Sequence, residues 1–330
     1  MELLKKLTQT TAVSGSENAV ISIIKNEIKD YVDEMYTDSL GNLIARKKGS
    51  GKKLLFSAHT DEIGLMANYI DDKGFVYFSP VGGVDVYASL YQRVVFSNGV
   101  FGTVCFENKT NVKKDLKESV MYIDIGANSK EEALSLISYG DTASFVGQYY
   151  ETDNRVVSKA LDNRAGVYIL IESIKRISIT PYDLYFLFSS QEEIGLRGAK
   201  VATYSIEPDI AVAVDVTDTG DTPGCEVSEV KCGKGVALKI MDKSVITHKG
   251  YRDFMANCAV DANIDYQYEI LNFGGTDAGA MQTVKCGAIT GAVSLPVRYI
   301  HTTCETADKS DIESCIKLVC EISKKDFIFA

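Results

Sequence analysis

Tryptophan is missing altogether from these 330 residues, and histidine occurs only three times. The first absence removes the usual platform for stacking sugars. The second makes each imidazole conspicuous. The eight cysteines contain no C-x-x-C pair, which speaks against a thiolate zinc ribbon or a thioredoxin-like redox motif. Scattered as they are, they read as reduced and mostly buried thiols rather than a disulfide framework. Basic charge is also short: 35 Lys and Arg face 45 Asp and Glu, for a formal net charge of −10. A chain without a basic surplus is poorly suited to neutralising phosphates, so neither nucleic acid nor an anionic membrane is an expected partner. No apolar run reaches the length of a membrane span. The opening "MELLKKLTQTT" lacks the apolar core of a signal peptide. A cytoplasmic location is expected.

What is present is an ordinary globular composition, 45% hydrophobic and 24% charged. The length suits two domains, or one with a large insert. "SGSENAVISIIKNEIKDY" reads as a helix, with Ser14 and Glu17 at capping-box spacing and Val20, Ile24 and Ile28 along one face. "NLIARKKGSGKKLLFSAH" reads as a hairpin, two apolar runs joined by a basic turn containing glycine. From residue 67 to 156 the chain changes character. Runs such as "GFVYFSP", "QRVVFSNGVFGTVCF" and "DTASFVGQYY" are rich in Val, Phe and Tyr and broken by Gly, with one short helix, "SKEEALSLIS". This stretch is expected to be a small β domain inserted into a main domain made of residues 1–66 and 157–330. Helices and strands alternate again after residue 157: "NRAGVYILIESIKRI" as helix, "YDLYFLFSS" and "DIAVAVDV" as buried strands, "DIESCIKLVCEIS" as the last helix. Alternation on both sides of the insert predicts an α/β fold, a sheet sandwiched by helices.

The chemistry-bearing residues fall at element ends. His59 closes "KKLLFSAH" and is followed by Thr60, Asp61 and Glu62. Asp162 stands in "ALDNRAG", where a strand gives way to a helix. Glu192 and Glu193 follow "YDLYFLFSS". Asp215 closes "IAVAVDV", and His301 sits in "RYIHTTCE". In open α/β sheets, ligands bind beyond the carboxyl ends of the strands, so these segments could converge. Each is weak alone: Asp162 could be a helix cap, and "QEE" a solvated loop. Together, two imidazoles and several carboxylates are the donor set for zinc, cobalt or manganese. Two such ions need a carboxylate bridge and a nearby base, which would give the adjacent glutamates different tasks.

The segments "AHTDEIGLMA", "ALDNRAG", "SSQEEIGLRGA", "AVDVT", "NFGGTDAGAMQ" and "PVRYIHTTCE" occur in an order that resembles the dinuclear metallo-aminopeptidases of the tetrahedral type. That family includes glutamyl aminopeptidases, and some members carry a cellulase (endoglucanase) label. "AVSGSE" and "DSLGNLIA" match as well, so the resemblance covers nearly the whole chain. It implies a zinc-peptidase-like catalytic domain with a mixed sheet, and a small β-barrel-like insert lying over the site. It also implies peptide substrates and a homododecameric hollow tetrahedron. By the same resemblance His59 and Asp215 each bind one of two divalent ions, Glu193 and His301 bind the other, and Asp162 bridges them. Glu192 is the general base, and Asp61 orients His59. Thr60 and Val236 depart from the usual Met and Pro of many relatives, and neither is an implied ligand.

Two readings stay open beside the aminopeptidase. A glycoside hydrolase could use Glu192 with another acid, though that chemistry has no need of His59 and His301. An inactive metal-binding scaffold would keep the ligands without turnover. Gly275, Thr276 and Asp277 in "GGTDAGAMQ" read either as a place where substrate approaches the backbone or as a tight turn. His248 matches no ligand motif and reads as a surface or structural histidine.

Overall fold

Four runs of seven to ten residues, almost wholly buried, form the centre of the molecule: Lys53–His59, Asp183–Ser189, Ile210–Asp218 and Ile289–Arg298. Burial on both faces is what a run of Val, Leu, Ile and Phe without polar alternation demands. The computed structural model, which describes residues 1–225 and 228–328, places them side by side. The order is Asp183–Ser189, Lys53–His59, Ile210–Asp218, Ile289–Arg298, each parallel to its neighbour. Among the described residues they belong to an 11-stranded mixed sheet.

Side chains alternate between its faces. Phe56, Phe186, Val212 and Val293 pack in one cluster with residues of the helices Leu161–Arg176 and Lys309–Lys324. Leu55, Leu187, Ala211 and Ala292 pack on the other with the helices Arg197–Ile206 and Asp277–Gln282. The fold is therefore α/β, a mixed sheet sandwiched by helices. On the last helix, Ile312, Cys315, Ile316, Val319 and Cys320 all lie in the core, as their spacing predicts.

A second core belongs to a closed six-stranded barrel. Around it run Gly64–Ile70, Val76–Val81, Met121–Asp124, Phe101–Phe106, Arg93–Phe96 and Thr142–Phe145. Leu65, Ile70, Val76, Val94, Val104 and Ile123 fill its interior. Closure leaves no strand edge unpaired. The barrel strands start at Gly64 and end at Phe145, while Arg155–Ser158 already pairs within the main sheet.

Two local readings of the sequence change. Leu43–Lys47 and Lys53–His59 do not form a hairpin; both pair with Asp183–Ser189, which lies between them. A strand as apolar as "DLYFLFS" needs a neighbour on each side, and it displaces the local pairing. The glycines that suggest a turn serve a close approach instead. A Cβ on Gly49 would stand 2.0 Å from the Tyr182 carbonyl oxygen, and one on Gly51 1.9 Å from that of Pro181. Nor do Ser14 and Glu17 form a capping box. Ser14 Oγ donates to Asp61, and Glu17 accepts from the Gly15 and Gln191 amides. Both side chains are drawn to the end of the sheet rather than to the helix Asn18–Ile28.

Arg164 ties the N-terminal segment to that end. Fully buried, it donates to the carbonyls of Leu7, Thr10 and Thr60 and lies 3.5 Å from Glu62. Replacing it with Met takes the donor from the carbonyls of Leu7, Thr10 and Thr60, while Glu62 keeps Lys159; a buried acceptor left unpaired costs about 1–3 kcal/mol. The urea midpoint should fall accordingly; an unchanged midpoint would contradict the role.

Candidate metal centre

The parallel register sets the site. Ser189 aligns with His59, and Asp215 lies on the neighbouring strand, so His59, Asp215 and the Glu192–Glu193 pair emerge at one edge. His301 follows the end of the fourth parallel strand, and Asp162 opens the helix Leu161–Arg176. All seven residues singled out in the sequence as ligands or catalytic groups, Asp61 included, meet at this edge.

Asp162 is at the middle. Its Oδ1 lies 3.0 Å from His59 Nε2 and its Oδ2 3.4 Å from His301 Nε2. The carboxylate is not a helix cap; it faces two imidazoles from opposite ends of the chain. Asp215 Oδ1 is 3.7 Å from His59 Nε2, and Glu193 Oε1 is 3.3 Å from His301 Nε2. The donors thus fall into two sets sharing Asp162: His59, Asp162 and Asp215, and Asp162, Glu193 and His301. Two donors bound at about 2.1 Å to one tetrahedral ion stand about 3.4 Å apart, so both sets have the spacing a divalent ion requires. Glu192 Oε2 lies 3.9 Å from His59 Nε2, beside the first set.

The electrostatics favour a cation. Burial pushes the Glu192 and Asp215 carboxyls well above their ordinary range, with repulsion from their acidic neighbours adding to it. Glu193 is raised by burial as well, with the Asp162 charge adding to it and His301 opposing it. Burial alone would lower the imidazoles, but the surrounding carboxylates overcome it. His59 is raised well above its usual value, and His301 to about 12. Carboxylates that repel one another in a buried place, and imidazoles drawn towards the charged form by them, are a donor set short of positive charge. Imidazole and carboxylate donors suit zinc, cobalt or manganese, and the residues present fit two such ions.

Asp61, fully buried, fixes this geometry. Its Oδ1 accepts from the Glu192 amide at 3.0 Å and its Oδ2 from the Glu193 amide at 3.1 Å. The same carboxylate is 3.4 Å from His59 Nδ1, and its own backbone carbonyl is 3.2 Å from that nitrogen. A hydrogen on Nδ1 leaves Nε2 turned towards Asp162. Glu305, whose place in the sequence marks no role, accepts from the amides of Asp162 and His301, each at 2.9 Å. Only the structure reveals it, because the two amides lie far apart along the chain.

A cleft of about 500 Å³ opens over the two donor sets. Gly275 and Thr276 line it. Asp277 does not: the residue is 2% exposed, and its carboxylate accepts from Ser57 and Ser189, beneath the strand ends. His248 is exposed at the start of the helix Lys249–Asp261, outside both sets. Thr60 donates to the Ser189 carbonyl at 2.8 Å and so belongs to the strand ends as well.

Comparison with known proteins gives a consistent result. The family described as M42 glutamyl aminopeptidase matches residues 41–318. A protein of Acetivibrio thermocellus, named provisionally as an aminopeptidase, is 52% identical over 97% of both chains. The structure of an aminopeptidase from the archaeon Desulfurococcus kamchatkensis superposes with a TM-score of 0.95 at 36% identity, covering 98% of this chain and 94% of that one. The Pyrococcus horikoshii TET1 peptidase superposes with a TM-score of 0.87 at 34% identity, covering 98% and 99%. That peptidase can assemble into a tetrahedron or a large octahedral shell.

The shared position of Asp162 yields a selective prediction. Elemental analysis of the purified protein should find about two divalent ions per chain, as a bridged centre requires. Asp162→Ala should lose both, whereas Asp215→Ala should lose one. Equal loss from the two variants would contradict the sharing.

Proposed function

Since the chain belongs to the M42 glutamyl aminopeptidase family and is a metal-dependent aminopeptidase, we propose that it removes N-terminal residues from peptides at the edge where Asp162 spans His59 and His301. That spanning carboxylate is the observation that carries the reading. His59 and Asp215 would hold one divalent ion, Glu193 and His301 the other, with Asp162 common to both. Bound there, zinc, cobalt or manganese supplies Lewis acidity, polarising the scissile carbonyl and making the attacking water more acidic. Glu192 takes up that water's proton and returns it to the leaving amine. Burial suits Glu192 to this work, since it raises the carboxyl above its ordinary range and so makes the carboxylate a stronger base. Asp61 keeps His59 and the Glu192–Glu193 backbone in register. The cleft walls, with Gly275 and Thr276, would receive the peptide.

The glycoside-hydrolase reading is weaker on this geometry. It needs two carboxylates facing each other across a sugar, whereas here imidazoles stand between the carboxylates. An inactive scaffold would have no use for Glu192 beside a complete donor set. We further propose self-association into a closed shell, with the homododecamer as the expected form. Tyr69, Tyr91 and Phe101 of the barrel are 51%, 66% and 61% exposed and offer apolar contact area. A cytoplasmic location remains our expectation, and no helix of the described residues is long and apolar enough to cross a membrane.

Aminoacyl p-nitroanilides and carboxymethylcellulose, each assayed with and without a chelator, separate the readings. Only the anilides should be turned over, and chelation should abolish it. Glu192→Gln should keep both ions and lose roughly 10²–10⁴ in turnover, the usual scale of general acid–base help. Glu193→Gln should weaken one ion, and added metal should restore part of the activity. If Glu192→Gln loses metal and Glu193→Gln keeps it, the two roles are reversed.

A further inference from the structure

His301 lies in a loop with its backbone in the left-handed region, φ 63°, so nothing in a regular element aims its ring. Two contacts do so, one from four residues on and one from a distant part of the chain. Glu305 accepts from the His301 amide with Oε1 and from the Asp162 amide with Oε2, both at 2.9 Å. One buried carboxylate therefore sets the distance between two ligand-bearing backbones that are remote in sequence. The second contact comes from the barrel. Its strand Val76–Val81 ends in the turn Gly82–Gly83, and the Gly83 carbonyl lies 3.0 Å from His301 Nδ1.

A carbonyl only accepts, so Nδ1 must carry hydrogen. In the neutral ring the bare nitrogen is then Nε2, the atom that faces Asp162 and Glu193. The turn presses on the site closely enough to exclude side chains. A Cβ on Gly83 would stand 2.7 Å from His301 Nδ1, and one on Gly82 3.1 Å from Glu193 Oε2. By contrast, His59 takes its support from Asp61 at the sheet edge.

We propose that Glu305 and the barrel turn Gly82–Gly83 are positioning elements for the Asp162–Glu193–His301 donor set. The inserted barrel thereby completes one half of the metal centre. The inference rests on the dinuclear reading given above. It makes the two supports distinguishable: loss of the turn disturbs the His301 half and spares the His59 half, whereas loss of Glu305, which also holds the Asp162 amide, reaches the carboxylate common to both.

The test is a cobalt titration of chelator-stripped, full-length protein, followed by calorimetry and by the visible absorption of the bound cobalt. Wild type, Glu305→Gln and Gly83→Ala are compared. Gln keeps the size of Glu but turns an amide nitrogen towards one of the two N–H groups. Ala at 83 meets only the imidazole ring, which can turn aside, so the barrel stays folded; near-UV circular dichroism checks this. Gly83→Ala should bind one ion with wild-type affinity and the other about 10–100-fold more weakly, the scale on which hydrogen-bond partners of a ligand act; Glu305→Gln should weaken the His301 ion on the same scale and, through Asp162, the His59 ion as well. Excess cobalt should restore turnover. Two ions bound with unchanged affinity in either variant would overturn the proposal, as would equal weakening of both ions in Gly83→Ala. A wild type that binds fewer than two ions would instead overturn the dinuclear reading beneath it.

Discussion

Crowded negative charge at one buried edge of the sheet is the constraint on which the rest depends. Asp61, Asp162, Glu192, Glu193, Asp215 and Glu305 all approach the same small volume, with only two imidazoles among them. Left to themselves, such groups would separate or take up protons, because desolvation and mutual repulsion both oppose the ionised forms. The parallel strands do not let them separate. Hydrogen bonds to backbone amides account for Asp61 and Glu305. What remains is a charge deficit at the two sets that share Asp162, and divalent ions are the means by which a buried carboxylate cluster of this kind is balanced.

The supports tie the two halves together. Asp61 holds His59 and the amides of Glu192 and Glu193 from within the sheet edge, Glu305 holds the amides of His301 and of the shared Asp162, and the barrel turn holds His301 alone. Asp61 and Glu305 are both carboxylates that spend their two oxygens on two backbone amides. Each imidazole is held through Nδ1 by a carbonyl, that of Asp61 for His59 and that of Gly83 for His301. The same solution thus appears twice, built from unrelated stretches of chain. Rigid strands alone would not give it, since Asp162 and His301 both leave their strands before they reach the site.

Much of this was legible in the sequence for definite reasons. The central strands are unbroken apolar runs, and such runs can only be buried. The last helix shows its apolar face at helical spacing. His59, Asp215 and the glutamate pair each sit where an apolar run stops, which is where a parallel sheet presents its residues to a ligand. The illegible parts depended on distant partners. Nothing near residues 43–59 announces that Asp183–Ser189 will part the two strands, so local turn chemistry favoured a hairpin. Ser14 and Glu17 have capping spacing, yet Asp61 and the Gln191 amide outcompete the helix end for them. Glu305 stands inside a recognisable motif, but its role lies in two amides, and amides leave no mark on a sequence. Asp277 drew attention as a possible substrate contact, whereas Ser57 and Ser189 hold it beneath the site.

The adjacency of Glu192 and Glu193 follows from the same constraint. Ser189 closes its strand, and Gln191 adopts a left-handed φ of 56°, so the chain turns sharply before the two glutamates. Asp61 then binds both of their amides, one on each carboxylate oxygen, and fixes two consecutive peptide units at once. From this anchored backbone the side chains diverge. Glu192 reaches towards His59 and Glu193 towards His301. Residues next to each other in sequence therefore serve opposite halves of the centre. A general base must sit beside the reacting water without being fully committed to a cation, and a ligand must be committed. In the roles proposed for Glu192 and Glu193, placing base and ligand on neighbouring residues of one anchored turn sets the separation of their backbones by covalent geometry, which neither the barrel nor the helices can alter.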